Sequence, residues 1–232
     1  MKRASRLLAV LAMALGWSAC GCSRDEPCRP LIRHYLQSPQ KLHTIHRVVF
    51  IQLDGGHRHP YMAGVMTEAL FAAIQKQGVF RLDVLGEDQP QCQDLPLRCR
   101  EGFTPDQLHA IRQALRCDAI LLGEVTQFLP HPRMQLGLSL RLIDLKNGQL
   151  VWGVENIWDS TDRRLDERIE DYFEDRLRDG YDPAEERLVH TSPRTFGAFV
   201  ACEVAATLVP RAPPPAPPLS DQRKTSLPAG RT

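Results

Sequence analysis

Between residues 47 and 85 the hydrophobic residues follow a strand period, then a helix period, then a strand period again. A β-branched and aromatic run at residues 47–53 ends at Asp54-Gly55-Gly56, which is typical of a buried strand that enters a turn. After Pro60, apolar residues recur at the spacing of one helical face until Gly78, a residue type that commonly ends a helix. The pattern therefore predicts a strand, a helix and a second strand at residues 79–85.

The next part of the chain predicts one more helix and three more strands. Residues 104–107 (TPDQ) have the composition of a capping box with proline at the first helical position, and residues 118–125 form an apolar run typical of a buried strand. In residues 134–142 every even position is apolar and every odd position is polar or small, and residues 150–155 return as a partner strand. Asn147-Gly148 between them favours a two-residue type I′ turn, so we predict a hairpin.

Residues 159–187 differ from the rest of the chain in their charge. From residue 162 to residue 187 there are 11 acidic residues and 6 arginines, a local net charge of −5 (6 − 11). Apolar residues still recur at helical spacing, so we predict an amphipathic helix with the stripe Leu165, Ile169, Phe173 and Leu177. Two interpretations stay open: a solvated helix that rests one stripe on the body of the protein, and an arm that docks a partner.

The order of these elements predicts the fold class. A last helix is expected at residues 192–208, which gives strand–helix–strand–helix–strand–strand–strand–helix. That order predicts an α/β (α+β) fold, a mixed sheet of about five strands that includes the C-terminal hairpin, with helices packed against it. We assign residues 46–209 to a single domain with a charged helical insertion at residues 159–187. The Pro-rich residues 210–232 are predicted to be a disordered tail.

The N-terminus has the three parts of a secretory signal, which we assign to residues 1–19. A positively charged start is followed by an uncharged apolar run at residues 7–15, too short to span a bilayer, and then by small residues. A small residue stands directly before both Cys20 and Cys22, and this resembles a bacterial lipobox, in which the cysteine is acylated. This resemblance predicts lipidation of Cys20 or Cys22, and several acyl chains on one cysteine would give stable anchoring. The alternative is an ordinary cleaved signal followed by two structural cysteines.

The predicted anchor has consequences for location. Residues 20–45 are polar with scattered prolines, so we expect an anchor and a tether there. If lipoprotein sorting rules apply, neither Gly21 nor Ser23 is the aspartate that retains lipoproteins at the inner membrane. We therefore expect a lipid-anchored protein at the outer membrane that faces the periplasm.

Composition narrows the classes of function. The net charge of the 232 residues is +1, which gives no global field to attract nucleic acid, and we expect no nucleic-acid partner. Low hydropathy excludes a polytopic membrane protein. Export permits disulfides, so Cys92 and Cys99, which share one polar segment, are a candidate disulfide. Cys117 and Cys202 lie in apolar segments and are either buried free thiols or a cross-fold pair.

The elements at residues 46–158 resemble a family of envelope lipoprotein domains. The matching segments are Val48 to Leu53, Ala69 to Val84, Cys117 to Val125 and Leu138 to Trp152. The family includes the curli-secretion lipoprotein, the lipoprotein activator of a penicillin-binding protein and the N-terminal domain of the Tol-system propeller protein. The resemblance implies partners in secretion or cell-wall assembly; Cys117 departs from it, because glycine is usual there.

Few residues point to chemistry. His57 and His59 are two apart and, with a carboxylate such as Asp54, are candidates for a metal site. Glu124 ends a predicted strand, and Asp144 precedes the hairpin turn, where a cap or turn role is favoured over acid–base chemistry. None of the nucleophile-elbow, phosphate-loop or zincin motifs is present, so we expect no catalytic residues, no resident metal and no cofactor.

These observations predict a non-enzymatic, lipid-anchored envelope protein, an adaptor or accessory factor for envelope assembly or secretion. Two alternatives stay open. The first is an oligomeric secretion-channel subunit, although the sequence has no second set of long alternating strands. The second is a metal-dependent enzyme that uses the loop with His57 and His59.

Overall fold

A computed structural model describes residues 32–86, 89–93, 95–97, 102–131, 133–178 and 191–209 of the protein. Six strands form one sheet: β1 (His34–Leu36), β2 (Arg47–Ile51), β3 (Arg81–Leu85), β4 (Ala119–Leu129), β5 (Gln135–Asp144) and β6 (Leu150–Asp159). The helices are α1 (Pro39–His43), α2 (Pro60–Gln77), α3 (Pro90–Gln93), α4 (Pro105–Leu115), α5 (Arg163–Arg178) and α6 (Pro193–Ala206).

The sheet is mixed, with the order β1-β6-β5-β4-β2-β3. Strand β2 is parallel to both β3 and β4, because α2 and α4 each carry the chain back to the end of the sheet at which β2 begins. Strands β4, β5 and β6 form an antiparallel meander, and β1 closes the far edge antiparallel to β6. The predicted α+β class, the mixed sheet and the C-terminal hairpin are confirmed.

The hairpin turn differs from the predicted two-residue turn. The Asp144 N–H donates to the Gln149 carbonyl at 3.0 Å, and the Gly148 N–H donates to the Asp144 carbonyl at 2.8 Å, so four residues lie inside the loop. Gly148 has a φ of 71°, but Asn147 is not among the described residues with positive φ, and a type I′ turn requires both. The longer loop lets Leu145 turn into the core, where it is buried.

One face of the sheet carries the larger core. Helices α2, α5 and α6 pack on it, and α2 and α6 contact each other along their lengths. The predicted stripe of α5 is confirmed at Leu165, Ile169 and Phe173, which are buried in this core. The Leu177 side chain lies outside the described residues. None of the helices in the described ranges is long and apolar enough to span a bilayer.

The opposite face carries a smaller core that covers only part of the sheet. Helix α4 buries Leu108, Ile111 and Leu115 against Ile51 of β2 and Leu122 of β4. The capping box predicted for this helix is present, with Thr104 and Gln107 bonded reciprocally. The part of this face formed by β5 and β6 has no helix over it among the described residues, and the polar positions of those strands are partly exposed.

Residues 32–45, whose polar composition predicts a tether, belong to the folded part of the chain. They form β1 and α1, and Ile32, Leu42 and Ile45 are buried in the larger core. This adds a sixth strand to the predicted sheet. Strand β1 cannot be predicted from the local pattern, because it has only three residues and the strand with which it pairs lies far along the chain.

Candidate functional site

A groove of about 550 Å³ lies on the face of the sheet that carries the smaller core. Its apolar lining residues are Ile51, Leu97 and Leu122. Its polar lining comes from four strands or strand ends, namely Gln52, Asp54, Glu124, Ser139, Arg141 and Glu155. The groove therefore has both apolar and polar lining groups, and most of the named side chains are polar.

Strand register places three of the polar residues in one row across the sheet. Ser139 is directly opposite Glu124 on β4 and directly opposite Glu155 on β6. Opposed residues in antiparallel strands have Cβ atoms about 5 Å apart. Arg141 lies two residues further along β5, opposite Gly153. The row thus presents two carboxylates with a hydroxyl between them and one guanidinium alongside.

The end of β2 brings a third carboxylate to the groove. The Asp54 N–H donates to the Gly123 carbonyl at 3.0 Å and the Val125 N–H donates to the Asp54 carbonyl at 2.8 Å, so Asp54 extends the pairing of β2 with β4. One carboxylate oxygen of Asp54 accepts the Gly56 N–H at 2.7 Å. This hydrogen bond forms an Asx turn, which fixes the direction of the Asp54 side chain. With Asp54, Glu124 and Glu155 against Arg141, the polar lining carries a net negative charge.

The two candidate histidines do not line this groove. His57 is exposed, and His59 is half-buried at the start of α2, where its side chain makes no cap bond. The His59 ring lies edge-on to Phe128, with the ring centroids 6.2 Å apart. Across the described ranges, no group of three or more His, Cys, Asp or Glu side chains is placed to hold a metal ion.

Asp144 has the structural role that its position before the turn predicts. One oxygen accepts the Lys146 N–H at 2.8 Å, and the other pairs with the Lys41 ammonium at 2.5 Å. Its side chain is only 3% exposed. The pair fastens α1 to the end of the hairpin, a contact that sequence reasoning missed because Lys41 lies in the segment assigned to the tether.

Three of the seven cysteines, at positions 92, 117 and 202, lie among the described residues. Cys92 is buried in the smaller core, whereas Cys99 lies outside the described residues, so their pairing stays a prediction. Cys117 is a buried free thiol, and burial raises its pKa to about 11. Cys202 is exposed on α6, so it is neither buried nor paired with Cys117. Cys20 and Cys22 lie outside the described residues.

Asp118 joins the starts of two parallel strands. One of its carboxylate oxygens accepts the N–H groups of His46 and Arg47, each at 3.1 Å. Burial acts to raise the pKa of Asp118, but the two backbone donors, with the charges of Lys146 and His46, outweigh burial and hold the pKa below its usual range.

We expect Asp118 to contribute to acid sensitivity. Because the folded pKa is lowered, this stabilisation is complete above the unfolded pKa of about 4 and is lost as the pH falls through the folded value. In urea unfolding at a series of pH values, Asp118→Asn should lower the free energy of unfolding at neutral pH. Below about pH 4 it should make that free energy less dependent on pH. An unchanged pH dependence would contradict this role.

Known proteins share distant structural similarity with this chain. No family model matches the sequence, and no curated protein matches it. The structure is similar to the PelC dodecamer from Paraburkholderia phytofirmans, with 11% identity and a TM-score of 0.48 over 78% of this chain and 98% of that chain. It is also similar to lipoprotein GNA1162 from Neisseria meningitidis, with 13% identity and a TM-score of 0.35 over 56% of this chain and 96% of that chain. For LpoB from E. coli, the identity is 17% and the TM-score 0.35 over 57% of this chain and 73% of that chain.

Proposed function

We propose that this protein is a non-enzymatic, lipid-anchored adaptor of the cell envelope, which acts in envelope assembly or secretion. The observation that carries the proposal is the N-terminal sequence, in which a charged start and a short apolar run lead to small residues before Cys20 and Cys22. Acylation of one of these cysteines would fix the protein at the outer membrane, facing the periplasm.

The groove supplies the surface on which an adaptor of this kind would bind its partner. It lies on a rigid sheet, is open to solvent, and places Glu124, Ser139, Arg141 and Glu155 at defined register positions. Charged and polar groups in such an arrangement fix the orientation of a partner more than they add to its affinity. The anchor thus sets the location and the groove sets the choice of partner.

The anchor is tested by intact mass and membrane partition of the full chain expressed in a bacterial host. We expect a mature protein with added acyl mass in the membrane fraction, and loss of that mass in either Cys20→Ala or Cys22→Ala. An unmodified protein in the soluble periplasmic fraction would overturn the anchor. Rings that survive detergent would favour the channel subunit, and co-purified metal lost on His57→Ala would favour the enzyme.

The partner surface is tested by cross-linking in the envelope. Arg141→Glu and Glu155→Lys invert charges in the groove, so we expect them to abolish the cross-linked partner while the protein stays folded and anchored. The matched control is Glu167→Lys on the exposed face of α5. If only the control loses the partner, the docking surface is α5 and not the groove.

A further inference from the structure

One end of the sheet carries a cluster of basic side chains. Strands β2 and β3 begin together at this end, with Arg47 opposite Arg81. Strand β4 begins one position later, with Ala119 opposite Val48, and the loop between β5 and β6 lies here as well, because Asp144 is opposite Ala119. Helices α2 and α4 end here, since each leads into one of these parallel strands. This basic end comprises Arg47, Lys76, Arg81, Arg112, Arg116 and Lys146.

The acidic side chains at the basic end do not balance its charge. Asp83 accepts Arg47 Nε at 2.8 Å, and Asp118 accepts the two backbone N–H groups described above. Asp144 pairs with Lys41, so these two residues add no net charge. The six basic residues with Asp83 and Asp118 therefore carry a net charge of +4 (6 − 2), whereas the whole chain carries +1. Positive charge is thus concentrated at this end of a nearly neutral protein.

Most of these basic side chains are directed to solvent. The Arg81 side chain is 73% exposed even though it lies near Asp83. The other exposed members form no ion pair with an acidic side chain in the ranges that the structure describes, and they are Lys76, Arg112, Arg116 and Lys146. The basic end therefore presents free cationic groups on its surface.

Helix stabilisation accounts for only two of the six basic residues. Lys76 and Arg112 lie in the last turns of α2 and α4, where a positive charge interacts favourably with the helix dipole. Arg81 begins a strand and Lys146 lies in a loop, so the dipole does not explain them. Arg116 has a φ of 49°, in the left-handed region that favours glycine, so an arginine occupies a position where its backbone is strained. The cluster is thus larger than the folding of its elements requires.

We propose that the basic end binds the anionic phospholipid headgroups of the membrane to which the chain is anchored. Positive side chains next to an anionic membrane surface attract it, and each raises the binding constant by about fivefold. The choice of lipid as the anionic partner rests on the proposed function, because the acyl anchor is what holds the domain beside a membrane. Leu150, the first residue of β6, is 37% exposed at the same end and adds an apolar contact for the headgroup region.

The chain between the anchor and the domain is long enough for this contact. The Glu155 N–H donates to the Arg33 carbonyl at 3.3 Å, five residues along β6 from Leu150 (155 − 150), so Arg33 lies about 17 Å from the basic end. The 11 residues from Cys22 to Arg33 (33 − 22) span at most about 36 Å. A segment of that length allows the basic end to contact the leaflet that holds the acylated cysteine.

Binding in this orientation turns the groove away from the membrane. Asp54 lies beyond the last residue of β2, and Glu124 is bridged to it from β4, so both carboxylates lie toward the opposite end of these strands. Anionic headgroups repel carboxylates and attract the basic end, and both effects favour the same orientation. The basic end therefore sets the orientation of the domain, and the groove stays accessible to a partner.

Vesicle binding by the full chain with Cys20→Ala and Cys22→Ala tests the contact without the anchor. The vesicles contain phosphatidylcholine alone or phosphatidylcholine with about one third phosphatidylglycerol, an anionic lipid, and binding is measured by co-sedimentation at low salt. We expect the triple variant Lys76→Gln, Arg112→Gln and Lys146→Gln to bind the anionic vesicles about 100-fold more weakly, because it loses three charges that contribute about fivefold each.

The matched control removes three exposed charges from the other end of the sheet. It combines Arg58→Gln after β2, Arg133→Gln between β4 and β5, and Arg163→Gln at the start of α5. Both triple variants have the same net charge and the same N-terminal apolar run, so we expect the control to keep most of its binding. Equal losses in the two variants, no loss in either, or equal binding of the chain without these substitutions to both kinds of vesicle would overturn the proposal.

Two further measurements separate this proposal from its alternatives. If the basic-end variant loses the cross-linked envelope partner while its vesicle binding is unchanged, this end binds a protein and not lipid. The mass measurement distinguishes the anchor from the basic end. An acylated chain whose basic-end variant binds vesicles like the control refutes only the lipid contact. A chain without acyl mass refutes only the anchor, because the vesicle experiment uses a chain that cannot be acylated.

Discussion

Glu203→Ala should lower the free energy of unfolding by about 3–5 kcal/mol, because it leaves a buried charge without its partner. The Glu203 carboxylate accepts from Arg168 Nε at 2.7 Å and Nη2 at 3.2 Å, and from the Trp158 indole N–H at 2.8 Å. The Arg168 and Glu203 side chains are only 9% and 11% exposed. These bonds hold α5, α6 and β6 together, so the loss should appear in urea unfolding followed by circular dichroism.

The control for this variant is the exposed ion pair on α5. Arg163 and Glu167 are 93% and 66% exposed and lie 3.8 Å apart, so Glu167→Ala should change the free energy of unfolding by less than about 0.5 kcal/mol. Similar losses for Glu203→Ala and Glu167→Ala would show that the buried network does not fasten α5. The Trp158 fluorescence should change only in Glu203→Ala, since only that carboxylate bonds the indole.

Gly55→Ala should destabilise the protein by about 1–3 kcal/mol or more, although it adds a single methyl group. A Cβ atom at Gly55 would lie 2.4 Å from the His59 carbonyl oxygen, 2.7 Å from its carbon and 2.9 Å from the Ala63 Cβ. Two of these are backbone atoms, and the His59 carbonyl accepts the Ala63 N–H in the first turn of α2. The loop after β2 must therefore move, and Asp54 at the groove moves with it.

Gly64→Ala is the matched control, since it makes the same change on α2 itself. A Cβ at Gly64 has nothing within 4 Å, so the variant should be neutral or gain up to about 1 kcal/mol from helix propensity. Thermal unfolding of both variants measures the difference. If Gly55→Ala unfolds at the same temperature as Gly64→Ala, the close approach of the loop to α2 is not a constraint.

Local periodicity predicts those strands and helices in which one face is buried and the opposite face is exposed. The alternation at residues 134–142 predicts β5 because one face of that strand meets the core and the other meets the groove. Likewise Leu165, Ile169 and Phe173 predict the buried side of α5 within a highly charged segment. In both cases buried residues recur at the repeat of the backbone, about 2 residues in the strand and about 3.6 residues in the helix.

Pairing between distant strands is what the sequence does not reveal. Asp54 and Glu124 are conspicuous along the chain, but Ser139, Arg141 and Glu155 look like ordinary polar positions of a half-buried hairpin. They become a groove only because β5 lies between β4 and β6 in a particular register. Similarly, nothing near residues 32–45 indicates that their partners are Asp144 and β6.

The pairing of β1 with β6 also limits the order in which the chain can fold. His34 and Val154 are 120 residues apart (154 − 34), whereas β4, β5 and β6 pair with their neighbours along the chain. Contacts between distant residues form late, because a long loop must close before they are made. In a chain that is synthesised from its N-terminus, residues 32–36 therefore stay exposed and unpaired until β6 has been synthesised.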